Sequence, residues 1–141
     1  MAAIRQATLD DADTIVLLAR EFGELYSDFP VRDDVGCMIR GCIIDGVAYV
    51  SEIDGNINGA IVGMILDHPF LQCKVLAELG WYATGRTGAF LLSRFVDYGK
   101  QVGVDLITAS TLNTSPPNAA RLMELVGMQQ REVVWQLKLG E

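Results

Sequence analysis

The most informative stretch of the sequence is residues 77–98, which read AELGWYATGRTGAFLLSRFVDY. Its first residues complete an apolar run that predicts a strand over residues 74–82. Its last residues place Gly88, Leu92 and Phe95 on one face of a helix. A short turn with glycines at positions 85 and 88 joins the two parts. The stretch therefore predicts a strand, a tight turn and a helix in succession.

The turn in this unit is a candidate anion site. The first N–H groups of a helix have no partner inside it, and the helix dipole adds positive potential, so a pyrophosphate can bind there. Arg86 and Thr87 would add a charged donor and a hydroxyl donor. The residues match neither a Walker A loop nor G-x-G-x-x-G. Gly and Thr also occur in ordinary β-α connections, so both interpretations stay open.

The elements around this unit indicate a mixed sheet. Upstream the patterns predict a strand at residues 3–7, a helix from Thr8 that ends before Pro30, a helix at residues 33–44, and a hairpin of strands at residues 48–53 and 57–66. Downstream they predict a strand at residues 105–110, a helix from Ser115 and a strand-rich segment at residues 128–139. The order β-α-α-β-β-β-α-β-α-β(-β) is that of an α/β (α+β) fold with helices on both faces of the sheet. Three successive central strands exclude a regular doubly wound chain.

Length and composition restrict the function. The 141 residues suit one domain spanning residues 1–141, and half of them are apolar, which is enough for a core. Lys and Arg number 11 and Asp and Glu 18, so the net charge is 11 − 18 = −7, which argues against nucleic acid and anionic membranes as partners. Three cysteines without C-x-x-C spacing predict reduced thiols in a cytoplasm. One histidine gives little basis for a metal site.

Four segments together resemble the GCN5-related N-acetyltransferase family. Residues 4–13 look like its first strand and acid-capped first helix, and residues 77–82 look like its fourth strand. Residues 88–92 look like the start of the helix behind its pyrophosphate loop, and residues 113–128 resemble its late strand-to-helix segment. The resemblance implies a mostly antiparallel twisted sheet of six to seven strands. It also implies direct transfer of an acetyl group from acetyl-CoA, without a metal, to an amine of a small molecule or protein.

The resemblance also implies roles for individual residues. The fourth and fifth strands splay apart in this family and the pantetheine lies between them, so a backbone N–H near Leu79 or Gly80 would polarise the thioester carbonyl. Glu78 would be the general base. The expected CoA-binding residues are Leu79, Gly80, Trp81, Tyr82, Gly85, Arg86, Thr87, Gly88, Ala89, Asn113, Ser115 and Asn118. Glu24, Tyr26 and His68 are the expected acceptor-binding residues.

Some positions depart from the family pattern. The pyrophosphate loop is degenerate around Arg86, and Met123 occupies the position where a tyrosine often serves as general acid. These departures favour an alternative, a catalytically silent module of the same fold that binds CoA or a protein partner. The second helix is strongly apolar, and the last segment carries Trp135. A possible homodimer would cover one of these surfaces.

Overall fold

The computed structural model describes residues 2–27, 29–84, 86–111 and 118–140. Its strands are β1 (Ala2–Gln6), β2 (Val47–Ile53), β3 (Asn56–Asp67), β4 (Lys74–Ala83) and β5 (Leu106–Thr108). Its helices are α1 (Ala12–Tyr26), preceded by a 3-10 turn at Leu9–Asp11, α2 (Val35–Asp45), α3 (Gly88–Val102) and α4 (Ala119–Leu125). The predicted sequence of elements is confirmed as far as α4.

The strands form a sheet in chain order, β1-β2-β3-β4-β5. The first three pairings are antiparallel, and β4 pairs with β5 in parallel. The helix α3 connects the parallel pair, as a crossover must. A mixed, mostly antiparallel sheet is therefore confirmed, although it has five strands in the described part of the chain and not the expected six to seven.

Helices cover both faces of the sheet because the central strands are apolar on both sides. Along β2, Ala48 and Val50 pack in one buried cluster with residues of α1 and α2, including Ile15 and Ile39. Val47 and Tyr49 pack in the other cluster, with residues of α3. Alternate residues of one strand therefore build two cores, and the sheet between them is held from both sides.

An ion cluster fixes the beginning of α1. The Thr8 backbone N–H donates to Asp11 Oδ2 at 2.8 Å, as in a capping box. Arg5 on β1 donates to both oxygens of Asp11, at 2.7 and 2.9 Å, and to Glu52 on β2 at 3.1 Å. The hydrogen bonds from Arg5, as the largest cause, lower the pKa of Asp11 to about 2. The cluster joins the helix start to two strands.

The predicted C-terminal strand is wrong for the described residues. Residues 128–140 form neither helix nor strand. The side chains of Trp135 and Leu137 are 91% and 83% exposed, and the Lys138 ammonium lies 5.2 Å from the centroid of the Phe29 ring. Apolar alternation makes a strand only where a neighbouring edge supplies hydrogen bonds. None of the described strands pairs with this segment.

Two other boundaries differ from the predictions. The predicted strand at residues 105–110 is reduced to β5, because its pairing with β4 ends at Thr108 opposite Ala77. The helix predicted from Ser115 starts at Ala119, and residues 112–117 lie outside the described part. None of the described helices has the length and apolar character needed to cross a membrane.

Candidate active site

The candidate site begins with a β-bulge in β4. Val62 on β3 lies opposite Gly80, and the next residue, Gly63, lies opposite Glu78. Leu79 is therefore an extra residue that has no paired residue on β3. A bulge interrupts the regular ladder and changes the direction of nearby backbone groups. It occurs at the two residues expected to polarise a carbonyl, Leu79 and Gly80.

A cleft opens where β4 and β5 separate. The two strands pair only from Val75–Leu106 to Ala77–Thr108. Beyond that point lies a cavity of about 680 Å³. Its described lining consists of Phe22 from α1; Glu78, Leu79, Gly80, Trp81, Tyr82 and Ala83 from β4; Arg86, Gly88 and Ala89 at the start of α3; Ser110 and Thr111 after β5; and Asn118, Ala119 and Leu122 at α4. The volume is in the range of small-molecule sites.

Glu78 places a carboxyl group in this cleft with an unusual proton affinity. Its Oε1 accepts a hydrogen bond of 3.2 Å from the backbone N–H of Ser110, across the opening between the strands. Burial raises the pKa of Glu78 from 4.5 to about 7, and the Ser110 hydrogen bond only partly opposes that shift. A carboxyl group that titrates near neutrality can act as a general base at physiological pH.

Tyr82 and Phe22 form an aromatic wall of the cleft. Their ring centroids are 5.4 Å apart, with the planes tilted by 58°. A Cβ added to Gly80 would overlap the Tyr82 hydroxyl, so this tyrosine lies directly over the glycine. Burial, with a smaller effect from the nearby Glu78 charge, raises the pKa of Tyr82 to about 12. The phenol therefore stays protonated and can donate a hydrogen bond at neutral pH.

The start of α3 lies at the opposite end of the same cleft. Arg86, Gly88 and Ala89 line the cavity there. The Trp81 Nε1–H donates to the Gly88 carbonyl oxygen at 3.2 Å, which ties the first turn of α3 to β4. A Cβ on Gly88 would already touch Ala83 at 3.4 Å. Because Gly88 has no side chain, its backbone can approach a ligand closely, and the first N–H groups of α3 suit an anion.

Thr87 has a different place from the one the sequence suggested. The residue is buried, its hydroxyl donates to the Thr84 carbonyl oxygen at 3.3 Å, and Ser51 Oγ donates to it at 3.2 Å. Asn58 donates to the same Thr84 carbonyl at 3.2 Å. Thr87 is not part of the described cavity lining. These contacts favour a role in fixing the turn to β2 and β3.

None of the three expected acceptor residues belongs to the described lining of the cleft. Glu24 is exposed on α1 and outside the described lining of the cleft, and the side chain of Tyr26 is not described. The His68 Nδ1 accepts hydrogen bonds from the backbone N–H groups of Phe70 and Leu71, at 3.1 and 2.9 Å, in a turn after β3. Eight of the expected CoA contacts do line the cleft: Leu79, Gly80, Trp81, Tyr82, Arg86, Gly88, Ala89 and Asn118. Gly85, Asn113 and Ser115 lie outside the described residues.

Sequence reasoning missed several residues of the cleft. Phe22 belongs to the apolar stripe of α1 and was indistinguishable from a core residue. Ser110 and Thr111 follow a parallel strand at its carboxyl end, a position where open α/β sheets place ligand contacts, and this signal could have identified them. Met123, at the position of the family tyrosine, packs against the α3 core.

Among known proteins, solved structures share the fold of this chain. No protein-family model and no curated protein matches the sequence. A transcriptional regulator from Bacillus halodurans C-125 gives a TM-score of 0.76 at 17% identity, covering 99% of this chain and 100% of that one. A ribosomal-protein-alanine N-acetyltransferase from Brucella melitensis biovar Abortus 2308 gives 0.72 at 14%, covering 99% and 100%.

An aminoglycoside acetyltransferase from an uncultured soil metagenomic sample, solved with trehalose, gives a TM-score of 0.72 at 11% identity. The match covers 99% of this chain and 97% of that chain. These identities are too low to transfer an activity, because one fold hosts many functions. They do confirm the architecture that the resemblance implied: the chain has the fold of solved N-acetyltransferases.

Proposed function

We propose that the protein is an acetyl-CoA-dependent N-acetyltransferase that acetylates a primary amine. One observation carries the proposal. A single cleft contains a strand bulge at Leu79, a helix start with Arg86, and a carboxyl group, Glu78, whose pKa is about 7. Thioester aminolysis needs a donor for the carbonyl oxygen, a site for the CoA phosphates and an acceptor for the amine proton.

The cleft offers binding groups for the successive parts of acetyl-CoA. The first N–H groups of α3 and the Arg86 guanidinium would hold the pyrophosphate. The β4 edge beyond Ala77, which β5 no longer covers, would hold the pantetheine arm through backbone hydrogen bonds. Gly88 and Ala89, which carry little or no side chain, line the cleft at this helix start and would let the backbone approach the phosphates. Asn118, across the cleft, offers a further polar contact.

In this proposal Glu78 is the general base that removes a proton from the acceptor. Its carboxylate takes a proton from the ammonium group, directly or through water, and leaves a neutral amine. Acetyl-CoA supplies the activated acyl group: the amine nitrogen bonds to the carbonyl carbon, the carbon–sulfur bond breaks, and the leaving CoA thiolate takes up, directly or through water, the proton that the nitrogen loses as it becomes an amide. The backbone N–H at Leu79 or Gly80 would stabilise the negative charge on the carbonyl oxygen. Tyr82, protonated at neutral pH, is available as a hydrogen-bond donor.

The proposal is tested first by ligand binding. Thermal unfolding is followed with acetyl-CoA, CoA and ATP in turn, and a ligand present at ~100 times its Kd should stabilise the folded state by ~2.7 kcal/mol. We expect stabilisation by both CoA species. If neither changes the melting temperature, the acetyltransferase proposal is wrong.

Release of the CoA thiol across a panel of amines tests catalysis. We expect kcat to rise with pH through about 7, because Glu78 must be ionised to accept a proton. Glu78→Gln should lower kcat by about 10²–10⁴-fold and remove that limb of the pH profile. Glu21→Gln, on an exposed face of α1, is the matched control and should change neither.

A second candidate function is a catalytically silent module that binds CoA or a protein. The replacement of the family's general-acid tyrosine by Met123, a residue packed in the α3 core, favours it. Stabilisation by CoA species without thiol release across the whole panel would support this module over the enzyme. A homodimer is a further expectation of the proposal.

A further inference from the structure

A second, smaller cavity of about 170 Å³ lies beside the cleft, between α1 and the segment that leads into α2. Phe22 and Tyr82 belong to the described lining of both cavities. We infer that the smaller cavity binds the apolar substituent of the acceptor amine, and that the acceptor is a primary monoamine with one apolar group of about six carbons. The inference rests on the proposed function and deepens it.

The shape of this cavity depends on small residues of α1. Ala19 is buried, and a Cβ on Gly23 would overlap the Val31 side chain. The chain after α1 therefore comes close to the helix at Gly23, and the space beside Ala19 is left open. Val31 and Val35 also line this cavity. Larger residues at positions 19 or 23 would remove the space or force these elements apart.

The chemistry of the lining favours an uncharged group. None of its described residues is ionised at neutral pH, since Tyr82 keeps its proton. The Ser27 hydroxyl already accepts a hydrogen bond of 3.1 Å from the Phe29 backbone N–H. An apolar cavity of about 150 Å³ holds a benzene molecule, so 170 Å³ suits a phenyl or branched alkyl group.

The charged residues near the cavity favour an acceptor with one amine group over an acceptor with several. Tyr82 lies over Gly80 and lines the cleft together with Glu78, so the two side chains are near each other. An apolar group beside Tyr82 thus brings an attached amine towards Glu78. Among the described residues of both cavities, Glu78 is the one carboxylate and Arg86 the one cation. A polycation would bury further charges without partners there, which is costly.

The test compares the reaction rates of three amines, in the wild type and in a variant whose cavity is filled by a larger side chain. Thiol release is measured with methylamine, benzylamine and the polyamine spermidine. Ala19→Leu occupies the cavity, and Glu21→Leu adds the same side chain to an exposed position of α1. We expect benzylamine to be preferred in the wild type, and Ala19→Leu to lower kcat/KM for benzylamine at least about ten-fold while changing methylamine less than two-fold. Glu21→Leu should change neither.

A direct measurement separates this inference from the proposed activity. The methyl resonances of Val31 and Val35 are followed by NMR while benzylamine is added, without acetyl-CoA. We expect shifts at both residues in the wild type and in Glu21→Leu. If these resonances do not move, or if spermidine is the better acceptor, the inference is overturned while the acetyltransferase proposal stands. If they move but no thiol is ever released, the binding site stands and the proposed activity fails.

Ala19→Leu could fold poorly, so a second variant enlarges the cavity instead. Val35→Ala removes two methyl groups from the lining and should shift the preference towards bulkier arylmethylamines such as naphthylmethylamine. An acceptor profile identical to that of the wild type in a folded Val35→Ala protein would also overturn the inference.

Discussion

At the scale of single residues, Glu78 links a proton to the stability of the fold. Burial raises its pKa from 4.5 to about 7, so the folded protein binds this proton more tightly than the unfolded chain does. The stabilising contribution is complete below pH 4.5 and is lost as the pH rises through about 7. The ionised carboxylate therefore carries a cost of about 3 kcal/mol at most above that range.

Glu78→Gln should reverse this loss. We expect the variant and the wild type to unfold with similar free energies at pH 4, and the variant to become progressively more stable than the wild type between pH 5 and pH 8. Urea unfolding across this range measures the difference. A constant difference at every pH would mean that Glu78 titrates normally in the folded state.

Asp11 shows the opposite dependence on pH. Its pKa is lowered from 3.8 to about 2 by hydrogen bonds from Arg5, so its contribution is present above pH 3.8 and is lost as the pH falls through about 2. Asp11→Asn should cost about 1–2 kcal/mol at pH 7, since Arg5 is partly exposed and screened. Asp10→Asn, exposed in the same turn, is the control for urea unfolding and should cost much less.

At the scale of elements, the turn between β4 and α3 separates a structural role from a binding role. Arg86 lines the cleft, whereas the buried Thr87 hydroxyl bonds to Thr84 and Ser51. Thr87→Val should lower the free energy of unfolding by about 1 kcal/mol. Arg86→Ala should leave stability unchanged and weaken acetyl-CoA binding about ten-fold or more. Calorimetric titration measures acetyl-CoA binding and urea unfolding measures stability for both variants. Weaker binding in Thr87→Val and lower stability in Arg86→Ala would mean that Thr87 binds the ligand and Arg86 holds the turn.

The elements that local chemistry specifies were predictable from the sequence. The hairpin turn at Asp54 and Gly55 has φ of 52° and 81°, the positive values that an Asp-Gly pair favours. Gly103 ends α3 with φ 79°, as a glycine cap requires. In both places the residue type restricts its own backbone, so no distant contact is needed to infer the structure.

The parts that depend on distant partners were not predictable. The bulge at Leu79 is a property of the β3–β4 register. An apolar pattern shows which face of the sheet a residue occupies, but it does not show which residue of the neighbouring strand pairs with it. Phe22 looked like a core residue because the cleft beside it arises from the early end of the β4–β5 pairing. The alternating residues 133–139 satisfy a strand pattern, yet whether a strand forms depends on an edge to pair with.

At the scale of the whole molecule, the last described segment exposes a large apolar surface. Val133, Val134, Trp135, Leu137 and Leu139 are all exposed. Monomers seldom present such a patch to water, so we expect a second copy of the chain to cover it. Light scattering at micromolar concentration should give the mass of a dimer, and Trp135→Asp should give that of a monomer. Phe70→Asp, at another exposed aromatic residue, is the control. A wild-type monomer would contradict the expectation.

The aromatic wall of Phe22 and Tyr82 has a thermodynamic consequence. Because one pair of rings borders both cavities, any movement of the rings that favours one occupant changes the affinity for the other. Equilibrium coupling of this kind is reciprocal. If acetyl-CoA tightens the binding of an amine by some factor, the amine must tighten acetyl-CoA by the same factor, and Phe22→Ala would bring both factors towards one. The measured affinity for either ligand would then report on the presence of the other.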